Sequence, residues 1–132
     1  MRFRSGLAAV AVILSFAAPA LAEDCPAKSS DMDDIIAALN AAKSCDAAMK
    51  VFQACEYGAS GDVQFGEVVE KKCESDFLDR LKPPQKAAYQ REMGACDRKY
   101  RNQSGTMYVS FTAFCRAEVA QRYSQRALKA SR

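Results

Sequence analysis

The sequence predicts an all-α fold: four to five short helices arranged as two disulfide-stapled antiparallel helical hairpins. Three observations point there. Apolar residues recur at spacings of three and four along most of the chain, the signature of one buried helix face. Six cysteines all follow an apolar leader, and four of them fall into a duplicated frame. No two-residue turn joins two alternating runs, so nothing reads as a strand pair.

The frame runs Ala54-Cys55-Glu56, Ser60-Gly61-Asp62, Cys73-Glu74. It is answered by Ala95-Cys96-Asp97, Ser104-Gly105-Thr106, Cys115-Arg116. Cys55 to Cys96 is 41 positions and Cys73 to Cys115 is 42, so one unit of about 45–81 is expected to recur at about 86–128.

Residues 1–22 read as a secretory signal peptide. Arg2 and Arg4 precede an apolar run from Leu7 to Ala18, and Ala20-Leu21-Ala22 is a small-x-small cleavage site. The run is shorter than the roughly 20 residues needed to cross a bilayer. Glu23 and Asp24 separate the cleavage point from Cys25, which argues against a lipidated cysteine. The expectation is one soluble domain, 23–132, in the periplasm or secreted, after cleavage near Ala22-Glu23.

Within that domain, Asp31 and Asp33 offer N-cap oxygens ahead of Ile35, Ile36 and Leu39. Ala47, Ala48, Val51, Phe52 and Cys55 continue an apolar face after a break near Lys43-Ser44. Gly58 and Gly61 are expected to end that helix, with Asp62 capping the next. Val69, Cys73, Phe77 and Leu81 recur every four residues, until Pro83-Pro84 stops the pattern and opens another helix. Tyr89, Met93, Cys96 and Tyr100 then share a face. After Gly105 and a capping Thr106, Phe111, Cys115, Val119 and Tyr123 return along the partner helix. Both glycine turns, at Gly61 and Gly105, are expected to need positive φ and to lie at one exposed end of the molecule.

Six cysteines allow 15 pairings. With no Cys-x-x-Cys and no histidine, neither the usual zinc spacing nor the thioredoxin-type redox motif is present, which favours structural disulfides. Cys96–Cys115 brackets the Gly105 turn at matching heights. Two sets remain for the others: Cys55–Cys73 with Cys25–Cys45, favoured by the repeat, or Cys45–Cys73 with Cys25–Cys55.

After leader removal the charge is near neutral, but it is unevenly spread. Residues 23–79 hold 13 acidic and 5 basic side chains, and residues 80–132 hold 3 acidic and 12 basic. Asp33, Glu70 and Glu74 are therefore candidate contacts for a basic partner; Arg98, Lys99 and Arg101 are candidate contacts for an anionic one. Export argues against nucleic acid for the basic cluster. An EF-hand at Asp31 is excluded, since its sixth and twelfth positions are Ile36 and Ala42. Without histidine there is no Ser-His or Cys-His pair, and the reading is of a non-enzyme without cofactor.

Cys96-x3-Tyr100, Gly105-Thr106-Met107, Cys115 and the following Arg/Ala-rich helix resemble the small exported cysteine-rich helical proteins of the LprI-like lysozyme inhibitor type. The similarity is best over 96–128 and carries over the cysteine framework and the glycine turn, but no inhibitory residue. The family's Trp-bearing segment has no counterpart, since the chain contains no tryptophan. The resemblance implies a periplasmic protein that binds a cell-wall hydrolase. Two functions are expected: a periplasmic binding protein or inhibitor whose acidic face meets a basic hydrolase such as lysozyme, or an envelope structural or adaptor module. The second would bind anionic glycan, lipid or a partner protein through the basic C-terminal half.

Overall fold

The computed structural model describes residues 24–132; the predicted leader and its cleavage point lie outside the described residues. Five helices follow in order: α1 (Met32–Ala41), α2 (Cys45–Cys55), α3 (Asp62–Glu74), α4 (Pro83–Lys99) and α5 (Thr106–Ala130). A 3-10 turn, Leu78–Arg80, joins α3 to α4, and there is no strand among the described residues.

Local chemistry sets most boundaries. Ser44 caps α2, its Oγ accepting the Ala47 N–H at 3.0 Å, so α1 and α2 are separate helices. Asp31 stands at the N-cap of α1 without a side-chain cap; Ser29 Oγ instead donates to Asp34 and accepts the Asp31 N–H. Pro83 and Pro84 open α4, where their missing N–H groups cost nothing, and Gln85 Oε1 accepts the Lys82 N–H. α3 stops earlier than its four-residue spacing predicts. It ends at Glu74, where Ser75 Oγ donates to the Lys72 carbonyl, and Phe77 turns inward from non-helical backbone to pack on Tyr89 and Tyr123.

The turns differ from expectation in detail. Gly105 has φ +112°, but Thr106 makes no cap. In the other turn the chain reverses at Gly58, φ +67°, while Gly61 is helical at −59°. Asp62 does not cap its own helix. It reaches back, accepting the N–H groups of Tyr57 and Gly58 at 2.8 and 2.9 Å.

α2–α3 and α4–α5 form the two antiparallel hairpins, and α3 lies parallel to α5. Three polar rungs show the direction: Asp62–Ser110, Glu70–Arg116 and Asp76–Ser124 advance together along α5 and along α3 and the turn that follows it. Parallel packing of the second helix of each hairpin brings both turns to one end. Small residues let these helices meet; a Cβ on Gly66 would stand 3.2 Å from the Ala113 carbonyl oxygen.

α5 is the central element, and its buried face is wider than the predicted stripe, of which Val119 is buried, Cys115 and Tyr123 are half-buried against the core and Phe111 is exposed. Ser110, Ala113, Ala117, Ala120 and Ser124 form the buried stripe toward α3, while Phe111 is 41% exposed. Phe114 stacks on Phe52 of α2 at 3.9 Å, and Tyr123 meets Tyr89 of α4. Tyr100, expected on the core face, is half-buried at the end of α4 against Tyr108 and Phe111.

The disulfides are Cys25–Cys55, Cys45–Cys73 and Cys96–Cys115, with Cα separations of 4.8, 4.6 and 5.6 Å. The pairing favoured by the repeat, Cys55–Cys73 with Cys25–Cys45, is therefore corrected. Cys55 is the last residue of α2, beside the turn, whereas Cys73 lies eleven positions into α3. At about 1.5 Å per residue that is roughly 16 Å further along. Cys45, at the far end of α2, is level with Cys73. The duplicated spacing misleads because α2 stops at its second cysteine while α4 runs on past Cys96 to Lys99.

Candidate partner-binding cleft

α3 and α4 flank α5 as two walls over a floor. Between them run two adjoining cavities of about 580 and 440 Å³ that meet at Glu74, Asp97 and Arg116. The larger is walled by Val63, Glu67, Glu70 and Lys71 of α3 and by Val109, Thr112 and Ala113 of α5. The smaller continues toward Leu78, Lys86, Tyr89 and Met93.

Arg116 is the centre of the arrangement. Its Nε donates to Glu70 Oε1 at 3.0 Å, and its Nη1 donates to both oxygens of Asp97 at 3.0 and 2.9 Å. One guanidinium on the floor thus ties the two walls together, and its planar fork suits this better than a lysine would. The two carboxylates differ in surroundings, with Glu70 12% exposed and Asp97 53%. Burial pushes the Glu70 carboxyl above the usual range; Arg116 pulls it back only in part, and Glu74 and Glu67 push it further up. Tyr89 Oη donates to Glu74 Oε1 at 2.7 Å, and burial together with that carboxylate holds the phenol well above its ordinary pKa.

Charge is concentrated in the larger cavity. Glu67, Glu70, Glu74 and Asp97 face Lys71 and Arg116 there, an excess of two negative charges beside an apolar wall of Val63, Val109 and Ala113. In the smaller cavity Glu74 and Asp97 are balanced by Arg116 and Lys86. Glu70 and Asp97 are committed to Arg116, which leaves Glu67 and the free oxygen of Glu74 as the groups that can receive an incoming cation. Among the described residues no three His, Cys, Asp or Glu side chains group closely enough to hold a metal ion.

The cleft brings together two of the sequence-predicted residues, Glu70 and Glu74. Asp33 is exposed on α1 and lines neither cavity. Arg98, Lys99 and Arg101 are exposed at the end of α4 and its turn and line neither cavity, although the Arg98 guanidinium lies beside Gly94 at the edge of the smaller one; Lys99 Nζ is 5.2 Å from the centre of the Tyr100 ring. Sequence reasoning missed Asp97, Arg116 and Tyr89. A signal for the first two was present: each directly follows a cysteine of the Cys96–Cys115 pair, so that disulfide sets them on neighbouring helices. Comparison with protein-family models, curated proteins and solved structures finds no match to this chain.

Proposed function

We propose that this chain is an exported, periplasmic, non-enzymatic binding protein whose cleft receives cationic side chains of a basic envelope protein, in the class of a cell-wall hydrolase such as lysozyme. The observation that carries the reading is the larger cavity. Its carboxylates outnumber its cations, two of them are held rigidly by Arg116, and an apolar wall adjoins them. Such a surface suits a lysine or arginine presented beside an apolar residue. Three disulfides in so small a helical domain fit an oxidising compartment.

Retention on immobilised basic lysozyme at low salt, with inhibition of cell-wall clearing by that enzyme, tests this directly. Glu67→Lys and Glu74→Lys together should abolish both, whereas Asp33→Lys should not. Retention that survives the cleft pair, or no retention of any basic envelope hydrolase, contradicts the reading. Glu70 and Asp97 are unsuitable for this purpose, because removing either unbalances Arg116.

A second reading is favoured by the opposite charge elsewhere. Arg98, Lys99 and Arg101 are exposed and take part in none of the ion pairs among the described residues. As an adaptor, the protein would meet anionic envelope material through them.

A further inference from the structure

The α4–α5 turn combines an acid-free, cation-led stretch with aromatic and apolar side chains left at the surface. No acidic residue occurs from Arg98 to Phe111, and three cations occupy the first four positions of that stretch. Beside them, three aromatic rings pack outside the main core. Tyr100, Tyr108 and Phe111 have centroids 5.7 to 6.0 Å apart, with Lys99 over the Tyr100 ring. Met107 and Phe111, one helical turn apart on α5, are 48% and 41% exposed.

Cations, tyrosines and exposed apolar side chains gathered at one end of a helical hairpin, with the Arg98 guanidinium lying back beside Gly94, are a combination that settles at a bilayer interface. The rings and thioether enter the headgroup boundary while the cations pair with anionic lipid. We infer that the α4–α5 turn docks reversibly on an anionic lipid surface, inserting Met107 and Phe111. This rests on the adaptor reading above and adds to it the lipid and the insertion. Glu56 and Glu118 border Phe111 through the shallow depression they share with Lys99 and Tyr100, so the favourable approach is from the turn side. None of Arg98, Lys99 and Arg101 lines the cleft, so neutralising them leaves its carboxylates in place.

The experiment is flotation with vesicles of equal parts phosphatidylcholine and phosphatidylglycerol, against phosphatidylcholine alone. Binding to the mixed vesicles only is expected. Arg98→Gln, Lys99→Gln and Arg101→Gln together should weaken it roughly 100-fold, at about fivefold per cation. Because the chain has no tryptophan, Phe111→Trp gives a single reporter whose emission should shift to the blue and be quenched by lipids brominated along the acyl chain. Equal binding to both vesicle types, no binding to the anionic ones, or an unchanged charge-neutralised variant would overturn the inference. So would vesicle binding without a tryptophan shift. Binding to a soluble anionic polysaccharide but to neither vesicle overturns the lipid inference and leaves the adaptor reading standing.

Discussion

Truncating Asp62 to alanine probes how the two hairpins are held in register. Its side chain is fully buried and accepts three hydrogen bonds: from Tyr57 N, Gly58 N and Ser110 Oγ, at 2.8, 2.9 and 2.7 Å. Hydrogen bonds to a carboxylate contribute about 1.5–3 kcal/mol each when a partner is removed. The full sum overstates the loss, since Tyr57 is 41% exposed and water can reach its amide, and the Ser110 hydroxyl can turn to a carbonyl of its own helix. A loss of about 3–4 kcal/mol is expected, a large part of the stability of a small domain. Urea unfolding with the disulfides intact measures it, with Asp62→Asn as the variant that keeps one acceptor and the volume. Ser110→Ala alone should cost about 1 kcal/mol, and the double mutant should be less destabilised than the sum, because the shared bond is lost only once. A cost below about 0.5 kcal/mol for Asp62→Ala, or strict additivity of the pair, would refute the role given to this rung.

Further expectations follow from the same geometry. Gly105→Ala should destabilise by about 1 kcal/mol because its φ is positive, and Gly58→Ala similarly, as chemical denaturation would show. Peptide mapping under non-reducing conditions should recover Cys45 joined to Cys73 and Cys25 to Cys55; removing the Cys45–Cys73 bridge, which closes a loop of 28 positions, should cost about 3–4 kcal/mol. Glu70→Gln should change the pH dependence of stability. Because the folded pKa of Glu70 is raised, its protonated form is favoured in the folded state, and that contribution fades as pH rises through the raised pKa. The stability of wild type relative to Glu70→Gln should therefore fall from acid to neutral pH, and a relative rise would contradict the assignment.

The helices were legible because their signals are local. Ser44 and the Pro83-Pro84 pair act on adjacent backbone, and the recurrence of Val69 with Cys73 or Tyr89 with Met93 needs only one helix to be read. What the sequence withheld was relative placement. The height of Cys55 depends on where α2 stops, which a spacing between cysteines does not contain. The buried faces of α5 could not be ordered from one stripe, because that helix packs on α2, α3 and α4 at once. The site suffered from the same limit. The acidic character of the first half was evident, but Glu70 lines the cleft and Asp33 does not only because α3, and not α1, faces α4 across α5.

Hydrogen–deuterium exchange of the protein with and without saturating basic lysozyme at low salt tests the cleft reading most directly. Slowed exchange is expected in Val63–Glu74 of α3, in Gln90–Asp97 of α4 and at the turn-proximal start of α5, with α1 unchanged and the effect lost in the Glu67→Lys/Glu74→Lys variant. Protection confined to α1 or to the surface away from α3 and α4, or none under conditions where the complex is formed, would contradict binding through the cleft.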